Sequence, residues 1–339
     1  CLDVRAFESR VEESAISITC GRFARRETEE PGRETEEMVL GDVPRLETDY
    51  APLLHAYQRS VRDLAALRLK GEQVSAMGFT IAAGIPWFMA LFGRDSLITG
   101  YQARHFLPGL ALGVLRTLAR LQGTEENPLT GEEPGKIIHE HRPSAPAAKH
   151  PVIPGPRYYG TIDATPLFII LLGEAHRCTG NLGLVQELRD NLERALEWME
   201  RYGDRDGDGY IEYLRESPSG LDNQGWKDSG DAIRFSDGRM AEPPIALCEV
   251  QGYAYAARLR AAELFEALGD DARARSLRAR AGELRRRFNE DFWMPGRRYY
   301  ALALDRDKRQ VDSLTSNPGH CLWSGIVEPE RCNPVVDHL

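Results

Sequence analysis

The chain has 339 residues, of which 42% are hydrophobic and 28% charged, and it carries a formal net charge of -9. That length buries a large core as one big domain or two smaller ones. The acidic balance argues against a nucleic-acid backbone or an anionic membrane as the main partner, since both require clustered Lys and Arg, and a neutral partner fits better. The six cysteines, Cys1, Cys20, Cys178, Cys248, Cys321 and Cys332, lie far apart with no CxxC pair. They suggest neither a zinc site nor a disulfide framework, and a reducing cytoplasm is the plainer expectation. No apolar run approaches the roughly 20 residues that cross a bilayer. The chain opens on Cys1 rather than Met and stops at Leu339 with a helical pattern barely begun, so a piece of a longer protein is expected.

Residues 1–45 differ from the rest. Arg26-Glu27-Thr28-Glu29-Glu30 recurs as Arg33-Glu34-Thr35-Glu36-Glu37 around Pro31-Gly32, a mixed-charge pattern that stays solvated and reads as a linker or the remnant of an upstream domain. Residues 46–339 form the second expected unit. There the pattern predicts about nine helices, near 49–69, 95–106, 108–122, 163–178, 182–202, 246–268, 271–292, 317–325 and from 329 onward. The stripe Leu182, Val185, Leu188, Leu192, Leu196 and Met199 follows a helix across the Thr179-Gly180 break. Leu247, Val250, Ala254, Ala257, Ala261, Leu264 and Leu268 fall on one face, and Gly269 ends that helix. Asp270 or Asp271 can cap the next, which carries Leu277, Ala281, Leu284, Phe288 and Phe292.

Strand signals are few. Tyr299 to Leu304 and Gln310 to Asp312, joined by a turn at 305–308, read as one minor β-hairpin near 299–312. Repeated helical hairpins imply an open solenoid or a closed toroid. Polar, aromatic loops recur between them at 84–95, 132–142, 158–163 and 220–231, as though gathered at one mouth, which favours the toroid.

Those loops carry the chemistry. Pro86-Trp87-Phe88 precedes Phe92-Gly93-Arg94-Asp95, an aromatic platform before a fork of donors and a pair of acceptors, a combination that can grip vicinal hydroxyls. An N-cap Asp beside a surface Arg is the plainer alternative. In the run from Glu132 to Glu140, His139 and Glu140 can bind hydroxyls, Glu133 can belong to a carboxylate pair, or the run is a hydrogen-bonded loop. Tyr158-Tyr159 leads to Asp163, as readily a helix cap as a ligand. Asn223-Gln224-Gly225-Trp226-Lys227-Asp228-Ser229-Gly230-Asp231 sets a carboxylic acid two residues from an indole. Glycosidic cleavage needs an acid that keeps its proton near neutral pH, which an apolar wall promotes, and an indole also stacks on sugar rings. Asp204, Asp206, Asp208 and Glu212 stand where an EF-hand loop has oxygen ligands, so a structural calcium is one expectation and a bare acidic turn the other. Arg215 occupies the twelfth position, where a bidentate Glu is expected.

Six motifs together, AAGIPWFMALFGRDSLITG (82–100), LQGTEENPLTGEEPGKIIHEHR (121–142), YYGTIDATPLF (158–168), DRDGDGYIEY (204–213), NQGWKDSGDAI (223–233) and VDSLTSNPGH (311–320), resemble the glucosidase domain of bacterial glycogen-debranching enzymes, the amylo-α-1,6-glucosidase family, from about residue 45 onward. The resemblance implies an all-α, (α/α)6 toroid, incomplete here because fewer helices are predicted than six hairpins need. It implies release of glucose from α-1,6 branch points of an α-glucan with inversion, with no required cofactor. Relatives of the same toroid, glucoamylase-like or trehalase-like, and a catalytically incomplete carbohydrate-binding fragment are the alternatives.

By the same resemblance Asp228 is the general acid, with Asp231 second. Arg94 and Asp95 hold the terminal sugar, Trp87 and Trp226 supply ring platforms, and Glu133, His139, Glu140, Tyr159, Asp163 and Lys227 complete the substrate side. An inverting pair needs a second carboxylate roughly 6.5–9.5 Å away. The family places that base late, beyond Leu339, so no residue of this chain is expected to serve.

Overall fold

A computed structural model of the protein describes residues 16–19, 43–69, 80–142 and 153–339. The repeated charge run of residues 26–37 lies outside them. The strand β1 (Ile16–Thr19) pairs antiparallel with β2 (Arg45–Thr48), Ile16 opposite Thr48.

About half of the remainder is helical, with small sheets and long loops between the helices, so the structure is less purely α than expected. In order come α1 (Ala51–Ala66), β3 (Leu91–Phe92), α2 (Gly93–Ala103), α3 (Pro108–Arg120), β4 (Glu140–His141) and β5 (Arg157–Tyr158). They are followed by α4 (Ala164–Thr179), α5 (Leu182–Glu187), α6 (Arg189–Arg201), β6 (Ala246–Leu247), α7 (Cys248–Ala267) and α8 (Asp271–Asp291). The last are β7 (Trp293–Met294), β8 (Tyr299–Tyr300), β9 (Ala303–Leu304), β10 (Gln310–Val311), α9 (Asn317–Ser324) and α10 (Pro329–Val336). Among the described residues no helix is long and apolar enough to cross a membrane.

Helices α4 and α7 form the middle of the packing. In α4, every residue from Ala164 to Ala175 is buried, because this helix packs against α2, α3, α6 and α7 and so lacks a wet side. Its end is set by Gly180, at φ 65°, whose N–H returns to the His176 carbonyl. Helix α7 packs on α4, α8 and α9 and buries Val250, Ala254, Ala257, Ala261 and Leu264, the stripe read from sequence. Gly269 stops it, and of the two candidate caps it is Asp270 that accepts the Arg273 N–H, at 3.0 Å. Leu277, Ala281, Leu284, Phe288 and Phe292 are buried as the spacing requires. The predicted helix over 182–202 is instead two, parted at Leu188, with Asn181 capping the first through Leu184 N–H at 3.0 Å.

The strand expectation needs correction. Tyr299–Tyr300 and Ala303–Leu304 are separate strands: the first pairs with β7, Trp293 opposite Tyr300, and the second with β10, Val311 opposite Ala303. Strand β9 also pairs with β6, Leu247 opposite Ala303, which ties the hairpin to the start of α7. A third small sheet joins β3, β4 and β5, with Phe92 opposite Glu140 and Glu140 opposite Tyr158. Two-residue strands carry no alternation for a periodicity argument to detect.

That third sheet brings three of the aromatic loops together, and its close fit depends on Gly93. A Cβ there would overlap the Ile138 carbonyl oxygen, and Gly93 N–H donates to the His139 carbonyl at 2.9 Å. Gly93→Ala is therefore expected to destabilise the fold by about 1–3 kcal/mol, the usual cost of overpacking a filled interior. Chemical denaturation checks this, and an unchanged midpoint would mean that the backbone contact relaxes freely.

Candidate active site

Arg94, one residue into α2, is 9% exposed and bonds to three residues on two loops. Its Nη1 donates to Asp163 Oδ2 at 3.0 Å and to the Gly225 carbonyl at 2.7 Å, and its Nη2 donates to Asp228 Oδ2 at 3.2 Å. Burial alone would lower the guanidinium's proton affinity, but Asp163, Asp95 and Asp228 together outweigh it and the pKa rises. Asp95 lies beside it, with 4.0 Å between Arg94 Nε and Asp95 Oδ2. Burial raises the Asp95 carboxyl above its ordinary range and the Arg94 charge opposes that. The two residues expected to grip hydroxyls as a pair thus divide the work. Arg94 is committed to internal partners, and the Asp95 side chain remains 42% exposed.

Asp163 stands at the N-cap position of α4 but its side chain caps nothing. Its carboxylate accepts from Arg94 and, at 2.6 Å, from the Thr161 hydroxyl, and it is sealed from solvent. The loop bearing Asp228 is closed on itself by Asn223, which accepts from the Tyr213 hydroxyl at 2.6 Å and donates to the Ser229 carbonyl at 2.6 Å. The Asp228 side chain is 37% exposed at the end of that ring. Trp226 lies with its centroid 4.4 Å from the His320 ring, and Lys227 Nζ sits 5.5 Å over the indole. Asp231 is exposed and pairs with Arg234 at 3.2 Å.

His139 is buried between the Phe92 and Tyr158 rings. Burial, aided by the Arg94 charge, pushes its pKa down to about 3, so the imidazole is neutral at ordinary pH. Glu140 is buried with its carboxylate against Arg142, whose Nη1 donates to the Trp87 carbonyl at 3.2 Å. Trp87 itself is 77% exposed. Two sequence candidates belong elsewhere: Glu133 accepts from Trp198 Nε1 at 2.7 Å and pairs with Lys136 at 3.0 Å, and the Tyr159 hydroxyl donates to the Leu121 carbonyl at 2.8 Å. A polar cavity of about 290 Å³, lined in part by Glu132, Lys136, Glu212 and Tyr213, shares Tyr158 and Gln224 with this region, but Arg94, Asp95, Trp226 and Asp228 do not line it.

Sequence reasoning passed over Glu249, Asn317 and His320. Glu249, in the first turn of α7, is fully buried, and its Oε1 lies 3.5 Å from where a Gly225 Cβ would be. Neither Glu249 Oε1 nor the side-chain amide of Asn317 has a hydrogen-bond partner. The signal available was a Glu and a Gln, Glu249 and Gln251, inside an otherwise apolar run. His320 was within a noted motif; its Nδ1 meets the Tyr253 hydroxyl at 2.7 Å.

An arginine joining two aspartates from different loops, a part-exposed carboxyl at the loop's end and aromatic rings around it form an arrangement able to hold a sugar and move a proton. A family model for the mannosylglycerate hydrolase MGH1-like glycoside hydrolase domain matches residues 92–339. The chain belongs to that family. Its fold is similar to that of solved glycosidases: a rhamnosidase from Klebsiella oxytoca with rhamnose bound (15% identity, TM-score 0.51, 77% of this chain and 43% of that one), and the GH78 rhamnosidase of Bacillus sp. GL1 (14%, 0.50, 78% and 24%). A protein described as a sialidase is similar too (12%, 0.51, 81% and 21%). The chain spans less than half the length of each of these three. No curated protein matches.

The buried Glu249 predicts a pH effect. Burial, reinforced by the Asp163 charge, raises its pKa from the ordinary value of 4.5 to about 7. The folded state therefore keeps a proton that the unfolded chain releases, so stability falls as pH rises through 4.5 to 7 and levels off above. The loss totals about 3 kcal/mol. Glu249→Gln, which cannot ionise, should match the parent at pH 4 and exceed its stability at pH 8. Denaturation at the two pH values measures this, and equal differences at both would show that Glu249 does not titrate in that window.

Proposed function

We propose that this glycoside hydrolase domain releases glucose from α-1,6 branch points of a glycogen-like α-glucan, with inversion and with Asp228 as the general acid. The single observation that carries the catalytic reading is Asp228 itself. It is a part-exposed carboxylate bonded to Arg94, and unlike the more open Asp95 it stands on a loop closed by Asn223 and next to an aromatic pair. Protonation of the leaving oxygen by Asp228 would free the departing sugar. Arg94 holds the carboxylate in place, Asp95 accepts from sugar hydroxyls, and Trp226 and Trp87 cover apolar ring faces. The order of the six motifs supports the branch-point substrate, and the exposed aromatic rings of Trp87 and Phe88 suit a chain longer than a disaccharide. In this reading residues 46–339 contribute helices to an (α/α)6 toroid, and the general base is left unassigned.

A second reading has its own observation. The family model carries the name of a hydrolase of an anionic glycoside, and Lys227, placed over the Trp226 ring, has no ion pair with a described carboxylate. A small substrate bearing a carboxylate would be met by that ammonium.

Two variants made in the full reading frame test these statements. Asp228→Asn should lower kcat by about a hundredfold to ten-thousandfold, the usual weight of general acid assistance, with KM little changed. Near-parental turnover of a branched dextrin would remove Asp228 from the acid role. Lys227→Gln should leave branched-dextrin hydrolysis within about twofold, since a rim charge gives a neutral sugar little binding energy. The second reading requires instead that the parent cleave mannosylglycerate and that Lys227→Gln raise KM for it about fivefold, the ~1 kcal/mol of one exposed charge contact.

A further inference from the structure

The Asp204–Glu212 loop has metal-loop geometry and holds a cation of its own. Carboxylate oxygens of Asp204, Asp206 and Asp208 lie within 4.8 Å of one another. Asp204 closes the turn by accepting from Gly207 N–H at 2.8 Å and Gly209 N–H at 2.9 Å. Into this cluster comes Lys308, from the turn between β9 and β10. Its Nζ lies 2.8 Å from Asp206 Oδ2 and 2.6 Å from Asp208 Oδ2, and it also contacts Glu212 Oε1. These are the third, fifth and ninth positions of the loop, residues that an EF-hand directs at calcium. The twelfth, Arg215, is turned to Asp222 at 2.7 Å.

Two facts set this cluster apart from an ordinary surface ion pair. Lys308 adopts φ 58°, a left-handed conformation that a non-glycine residue seldom takes. The turn fixes it there: Lys308 N–H donates to the Asp305 carbonyl at 2.8 Å, and the buried Asp305 carboxylate takes the Arg309 N–H at 2.9 Å. Glu212 is the second. It is buried, its Oε2 has no partner, and an ammonium with three N–H groups, all spent on Asp206, Asp208 and Glu212 Oε1, cannot supply one. The site has more oxygen than a lysine can bind, as suits a divalent ion of higher coordination number. Burial would lower the Lys308 pKa, but the three carboxylates outweigh it and raise it, so the ammonium is charged.

We propose that Lys308 is the resident cation of this acidic loop, occupying the place of a divalent metal, and that the loop takes up calcium once the ammonium is removed. The tether has a use. Lys308 pins the β9–β10 turn to the loop after α6, and the chain leaving that turn runs through Asp312 to Asn317 and His320, against Trp226.

Calcium titration of the parent and of Lys308→Met, followed by calorimetry and by thermal melting, tests the idea. The parent should give no binding heat and no shift in melting temperature in millimolar calcium. Lys308→Met should melt several degrees lower without metal, bind one calcium with Kd of about 10⁻⁴–10⁻³ M, the weak end for a loop lacking its twelfth ligand, and regain its melting temperature. Magnesium, which demands a tighter octahedron, should do less. Adding Asp206→Asn to Lys308→Met should abolish the calcium heat. Stoichiometric calcium binding by the parent would overturn the proposal, as would absence of calcium binding by Lys308→Met at any melting temperature. Should Lys308→Met fold only when calcium is present, the proposal stands; failure to fold with or without calcium counts against it.

Discussion

The guanidinium of Arg94 is bonded to residues 69, 131 and 134 positions away in the chain. Asp163 is sealed from water and would carry an uncompensated buried charge without it, a large penalty compared with the small value of a surface ion pair. Satisfying Asp163 requires the start of α2 and the start of α4 to meet. The second and third donor bonds then draw in the Gly225 carbonyl and Asp228. The part-exposed Asp228 is therefore positioned by a charge that is itself nearly buried.

Around that charge the neighbours follow from fit. A Cβ at Gly93 would meet the Ile138 backbone carbonyl, so there the backbone approaches more closely than any other residue allows, whereas one at Gly225 would meet only the tip of the Leu247 side chain. The short sheet of β3, β4 and β5 holds His139 between Phe92 and Tyr158, where burial keeps it neutral. Behind the Asp228 loop, Glu249 and Asn317 lie buried with hydrogen-bonding capacity unmet. Such groups cost stability, and each calls for an explanation in a folded protein. The acidic loop with Lys308 plays a separate part, joining the α6–α7 connection to the hairpin whose exit strand leads toward His320.

The helices were legible because burial has a period. Stripes such as Leu277, Ala281, Leu284 and Phe288 locate α8 within a residue or two, and Gly269 with Asp270 locates the boundary before it. The small sheets were not legible. Two residues define no period, and the run from Tyr299 to Leu304, which looks like one strand, is divided between two partners. Glu249 was missed for a related reason: a carboxylate inside an apolar stripe looks like a surface position until the helices packed on both sides of α7 are known.

By itself the sequence determined the helical class, the acidic surface balance and the set of loops in which Arg94, Asp163, Trp226 and Asp228 occur, because residue type and spacing are local properties. Only the tertiary structure decided what those side chains do to one another. It turned Arg94 inward as a clamp and left Asp95 the more open carboxylate. It gave Glu133 to Trp198, gave the Tyr159 hydroxyl to a backbone carbonyl, and set a lysine from 96 residues further along the chain against Glu212 in the acidic loop. Each of these depends on distances across the core, which no spacing along the chain specifies.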